Sequence, residues 1–90
     1  MKALKAIVSG KVQGVWFRDS TCNEASKLNV AGWVRNLADG TVEVSAEGKE
    51  EDLRALVEWL HIGSTRSSVE GVDVEWMDPT GEFSQFEMRF

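Results

Sequence analysis

The stretch WVRNLADGTVEVSAEG, residues 33–48, decides the fold. Asp39-Gly40 stands between two runs of strand character, Trp33 to Ala38 and Thr41 to Gly48. Asp-Gly in that position is the strongest short-range hairpin signal, with positive φ expected at both central turn residues. In the second arm Val42, Val44 and Ala46 point one way and Thr41, Glu43, Ser45 and Glu47 the other. That alternation predicts a half-buried strand, with one face on a core and one in water.

Working outward toward the C-terminus, Lys49 to Ile62 reads as a helix. Leu53, Leu56, Val57 and Leu60 recur at i, i+3, i+4 and i+7, and Glu50, Glu51 and Asp52 suit the positive end of its dipole. Gly63 supplies the stop. A polar loop over 63–68 leads to a strand in which Val72, Val74 and Trp76 alternate with Asp73 and Glu75. Pro79 to Gly81 turn the chain, and Phe86, Met88 and Phe90 alternate in a last short strand. Toward the N-terminus, Leu4, Ala6 and Val8 share one side of a strand, with Lys5 and Ser9 on the other. Gly10 and Gly14 break that pattern as a loop. A helix is expected from about Asp19 to Asn29, with Asp19 and Ser20 as caps and Cys22, Ala25 and Leu28 near helical spacing, and Gly32 closes it.

The order is β-α-β-β-α-β plus a short terminal strand. Right-handed crossovers then place both helices on one face of an antiparallel sheet, an α+β ferredoxin-like sandwich. Ninety residues suit a single domain spanning 1–90. Fifteen acidic against ten basic side chains give a net charge of −5, which argues against a nucleic-acid partner, since such binders carry a basic face. One cysteine, Cys22, cannot form an internal disulfide, so a reduced, cytoplasmic setting is expected. No apolar run is long enough to span a bilayer, and Lys5, Ser9 and Lys11 interrupt the first apolar stretch, so neither membrane nor signal peptide is expected.

Chemistry concentrates in GKVQGVWFRDS, residues 10–20, which joins a strand to a helix. Glycines let successive backbone amides curl into a concave nest that suits an anion, and the amides and dipole of the following helix point the same way. Arg18 adds a permanently charged fork that matches phosphate geometry. Spacing alone leaves a second reading open, in which Gly10 and Gly14 turn the chain and Arg18 pairs with a surface acid. Neither GxxxxGK[ST] nor GxGxxG is present.

The run Gly10, Val12, Gln13, Gly14, Val15, Phe17, Arg18 resembles the signature of the acylphosphatase family. GWVRNLADGTVEV, residues 32–44, resembles that family's second signature, with Asn36 as its key residue. Gly48, Gly63-Ser64, Val69 and GEFSQFEMRF at the end are also similar, so the likeness spans nearly the whole chain. It implies hydrolysis of the carboxyl–phosphate bond of small acyl phosphates, with inorganic phosphate as product and inhibitor and with no metal or other cofactor. Arg18 and Asn36 would be catalytic, the first clamping the phosphoryl oxygens and the second orienting the attacking water. Gln13, Gly14, Val15, Trp16, Phe17 and Arg18 would cradle the phosphate. Apart from the resemblance, the place of Trp16 inside the anion loop suggests an aromatic at the site mouth, within reach of an acyl group. The chain departs from the family pattern at Leu37 and Thr65, where Thr and Pro are frequent.

Other residues read more simply as structural: His61 as a solvated helix end, Cys22 as a small core residue, Trp59 and Trp76 as packed, and Arg35 and Arg66 as exposed cations. Two further functions stay in view. A non-catalytic anion-binding accessory domain would keep the loop without turnover. An RNA-binding module would need sheet aromatics and a basic face, which the sequence lacks. A monomer is expected.

Overall fold

In the computed structural model, which describes residues 1–90, the alternating and helical patterns resolve into seven elements. They are β1 (Lys2–Lys11), α1 (Phe17–Lys27), β2 (Ala31–Asn36), β3 (Val42–Gly48), α2 (Glu50–Ile62), β4 (Ser68–Met77) and β5 (Phe86–Arg89). The strands form one sheet in the order β4-β1-β3-β2-β5. Neighbours are antiparallel except β2 and β5, which pair in parallel. The ferredoxin-like order expected from sequence is therefore present, and the terminal strand makes the sheet mixed instead of wholly antiparallel.

Register explains the core. Val74, Ala6, Val44, Val34 and Met88 form one row across the five strands, and Trp76, Leu4, Ala46, Gly32 and Phe86 form the next. Leu53, Leu56 and Leu60 of α2 and Phe17 and Ala25 of α1 close over this face and are fully buried with it. Each buried leucine contributes roughly 1.5–3 kcal/mol of apolar transfer, so this face holds the domain together. Trp59 packs its ring against Phe17 at 5.7 Å. Trp76 does not pack as expected: it lies at the sheet's outer edge, half in solvent beneath the Arg54 guanidinium.

The third row is Val72, Val8, Val42 and Asn36. A polar amide thus completes an otherwise aliphatic row under the helices, a placement that costs free energy unless the group is hydrogen-bonded.

Several local expectations are corrected. The first hairpin arm lies two residues earlier than expected and the second starts one residue later, and of the two central residues only Gly40 has positive φ (92°). Gly40 N donates to Leu37 O and Leu37 N to Thr41 O, the pattern of a type I turn closed by a left-handed glycine, in place of a two-residue loop. Asp39 accepts from the Thr41 hydroxyl at 2.6 Å and the Thr41 amide at 3.0 Å, which hold its carboxyl below the usual range. Helix α1 begins two residues earlier than expected. Its N-cap is Trp16, with no side-chain cap, so Asp19 and Ser20 lie inside its first turn. Gly32 sits within β2, and the chain leaves α1 through Asn29 at φ 59°. Gly10 belongs to β1 at a bulge against β4.

β3 is buried on both faces, because it is the central strand and its outer face is covered as well. Glu43 there meets Arg35 at 2.7 Å and Lys5 at 3.7 Å. Glu47, 5% exposed, accepts from Thr80 N and Thr80 Oγ1 at 2.8 Å and from Gly81 N at 3.0 Å. These bonds pin the β4–β5 connection over the sheet. Burial alone would push the Glu47 carboxyl up, but the three donors outweigh it and hold the group below its ordinary value. A depressed folded-state pKa contributes stability above the unfolded value, about 4.3, and that contribution is lost as pH falls through the folded value. Urea unfolding of Glu47→Gln is therefore expected to show a loss of about 1–3 kcal/mol at pH 7. The gap to the wild type should narrow as pH falls below the ordinary glutamate range and Glu47 takes up its proton. A gap that persists unchanged in acid contradicts this assignment.

Candidate active site

Where β1 ends, the chain turns through residues 12–16 before α1 starts. Gly14 adopts φ 72° and Trp16 φ 63°, with Val15 between them at negative φ. That alternation of hand turns successive amides inward, the geometry of an anion nest. None of the amides of residues 12–16 donates a hydrogen bond within the protein. The first amides of α1 add further donors that no helical carbonyl can accept. Gly14 meets the left-handed requirement freely, and a Cβ there would touch nothing. Trp16 does not: a bulky residue held in this region costs of order 1–3 kcal/mol, and such strain collects at functional sites.

Two clasps hold this loop. Gln13 Nε2 donates to Leu37 O at 2.8 Å and Thr41 O at 2.9 Å, tying the loop to the β2–β3 hairpin beside Asn36. Ser64 Oγ, from the loop after α2, donates to Val15 O at 2.8 Å. Phe17, fully buried on Trp59, anchors the start of α1, and Thr21 Oγ1 bonds back to its carbonyl at 2.8 Å.

Arg18 follows on the first turn of α1. Its Nη1 donates to Arg89 O at 3.0 Å, and its guanidinium stacks 4.7 Å from the Phe90 ring centroid. The ion pairs of the molecule, Lys5–Glu43, Arg35–Glu43 and Arg54–Glu50, all leave it out. The reading in which Arg18 pairs with a surface acid is thereby removed. Its charge is uncompensated, and a carbonyl and a ring fix its direction while only Nη1 is engaged, so the Nε and Nη2 donors stay free.

A cavity of about 300 Å³ opens between these parts, lined by Val12, Gly14, Trp16, Phe17, Arg18, Asp19, Asn36 and Met88. Asn36 Oδ1 is buried there with no hydrogen-bond partner. A buried, unpaired amide oxygen costs about 1–3 kcal/mol, so packing alone does not account for its place.

Of the residues singled out from sequence, Gly14, Trp16, Phe17, Arg18 and Asn36 meet at this cavity. Val15 is buried behind the loop, and the Gln13 side chain points to the hairpin carbonyls, while their main-chain amides have no acceptor within the protein. Sequence reasoning missed Met88, Asp19 and the Arg89–Phe90 support for Arg18. The alternation of Phe86, Met88 and Phe90 gave a strand but no hint that β5 runs beside Asn36's strand. Cys22 is half-buried; burial, with the Asp19 charge in the same sense, pushes its thiol up and makes it a poor nucleophile. His61 is exposed, bonded to Val57 O, and no part of the cavity.

Residues 4–88 match the family model for acylphosphatase. The chain is 51% identical over 86 residues to the acylphosphatase of Anaeromyxobacter dehalogenans, covering 96% of this chain and 92% of that one. It is 49% identical over 86 residues to that of Methylococcus capsulatus, covering 96% and 94%. The crystal structure of acylphosphatase from Bacillus subtilis overlays it with a TM-score of 0.96 at 39% identity, covering all of both chains.

Proposed function

This chain belongs to the acylphosphatase family, and from that premise we propose that its cavity hydrolyses small acyl phosphates through Arg18, the amides of the Gln13–Arg18 loop and a water held by Asn36. The observation that carries the proposal is the meeting, in one cavity, of an unpaired cation, a nest of free amides and an orphaned Asn36 oxygen.

The phosphoryl group seats its oxygens on the loop amides and the Arg18 fork, which stabilise charge as it shifts during transfer. Asn36 Oδ1 accepts a hydrogen bond from the nucleophilic water and aims its oxygen at phosphorus, in line with the acyl oxygen. As the new P–O bond forms, the P–O bond to the acyl group breaks and its electron pair leaves with the carboxylate. The water's proton passes to a phosphoryl oxygen. A carboxylate with an ordinary pKa near 4 leaves as a stable anion, so no general acid is needed. Inorganic phosphate, made in the same nest, inhibits by occupying it. The positive charge comes from Arg18 and the amides, so the mechanism needs no metal.

No helix is long and apolar enough to cross a membrane. A cytoplasmic setting fits the reading, since a lone cysteine cannot form an internal disulfide.

The test is turnover of acetyl phosphate and benzoyl phosphate in the presence of a chelator, with phosphate and sulfate as competitors. The expected result is release of phosphate well above the buffer rate, with competitive inhibition by both anions. Anion binding with a rate equal to buffer returns the accessory-domain reading instead.

A further inference from the structure

The cavity wall has two halves, and only one is explained by phosphate. Gly14, Arg18 and Asn36 serve the anion and the water. Val12, Trp16, Phe17 and Met88 present carbon. Val12 and Phe17 are fully buried, their surfaces already spent in the core. Trp16 and Met88 retain free surface.

Trp16 is 70% exposed, makes no hydrogen bond through its indole, and stands at positive φ, where glycine or asparagine fits more easily. Neither burial nor backbone geometry therefore accounts for an aromatic side chain here. Met1, Ile62, Trp76, Met77 and Phe90 are also large, apolar and exposed, yet none of them lines this cavity. Met88 reaches the same cavity from β5, next to Val34 in the register. Its thioether is polarisable and suits the edge of an aromatic ring.

We infer that Trp16 and Met88 form an apolar clamp for the acyl group, so that the preferred substrates are neutral aromatic acyl phosphates; this rests on the acylphosphatase reading above. A flat ring lies on the indole face with the carboxyl–phosphate bond directed at the nest. Asp19 in the same wall raises the cost of any acyl group that carries its own carboxylate. A cavity of about 300 Å³ has room for a small acyl phosphate.

The test compares kcat/KM for benzoyl and acetyl phosphate in the wild type, Trp16→Ala, Trp16→Phe and Met88→Ala. The wild type favours the benzoyl compound. Trp16→Ala lowers the benzoyl-to-acetyl ratio by about tenfold, Trp16→Phe restores most of it, and Met88→Ala lowers it a few-fold. Should Trp16→Ala fail to fold, the Met88→Ala ratio decides alone. An unchanged ratio in the folded variants, even with both rates reduced together, overturns the clamp and leaves Trp16 as a piece of the phosphate loop. Wild-type protein that hydrolyses neither compound overturns the underlying reading, and the clamp with it.

Discussion

Arg18→Ala is expected to lower kcat/KM for acetyl phosphate by about 100- to 1,000-fold, equal to roughly 3–4 kcal/mol of lost transition-state stabilisation. The size follows from what the residue faces. Arg18 has no carboxylate partner, so its whole charge is available to the phosphoryl oxygens. Its anchoring by the Arg89 carbonyl and the Phe90 ring means that little reorganisation is needed when substrate arrives. Both KM and kcat should worsen, because the anion is present in the ground state and its charge shifts in the transition state. The fold should hardly notice: the side chain is half in solvent and contributes one hydrogen bond and one ring contact, worth about 1 kcal/mol together. Arg18→Lys should recover only part of the loss, since an ammonium lacks the planar fork. A variant that keeps its melting temperature and also keeps its rate contradicts the role given to Arg18.

Asn36→Ala carries the second large effect, with a different signature. Here kcat should fall by about 100-fold while KM stays within a few-fold, because water positioning matters to the chemical step and the anion grip is built elsewhere. Stability should move the other way from most core truncations. Asn36 Oδ1 is buried without a partner, so its removal relieves a desolvation cost of about 1–3 kcal/mol and offsets the packing lost. Unchanged or raised thermal stability beside collapsed turnover marks a group kept for chemistry. A purely structural hairpin residue would give the reverse: a clear drop in melting temperature with kcat nearly intact.

How much of this was legible in the sequence depended on whether the signal was local. The α2 stripe of Leu53, Leu56 and Leu60 and the Val42–Val44–Ala46 alternation are periodic, and both gave the right element. The glycine loop before Arg18 was legible for the same reason. The parallel partnership of β5 with β2 was not, because strand order is set by long-range closure that leaves no mark in the four residues of β5. With it went Met88 and the Arg89–Phe90 anchor. The alternation of β3 also misled: Glu43 and Glu47 look solvent-facing, yet Arg35, Lys5, Thr80 and Gly81 converge on them from elsewhere in the chain. Gln13 was read for its main-chain amide in the loop, and the sequence said nothing of where its side chain goes. That side chain reaches Leu37 and Thr41, contacts separated by 24 and 28 residues that no short motif encodes. That clasp also offers a physical answer to Leu37, which has no hydroxyl to steady Asn36: the backbone on either side of the turn is fixed from the loop instead.

The central claim is that one arginine and a ring of main-chain amides seize a tetrahedral anion. Its most direct measurement is a titration of the wild-type protein with inorganic phosphate, followed by backbone amide and arginine side-chain nuclear magnetic resonance. The amides of residues 13–19 and the Arg18 guanidinium protons should shift together along one saturating curve, and the response should vanish in Arg18→Ala. Saturable shifts confined to other residues, or none at all while acyl phosphate is still hydrolysed, contradict the account.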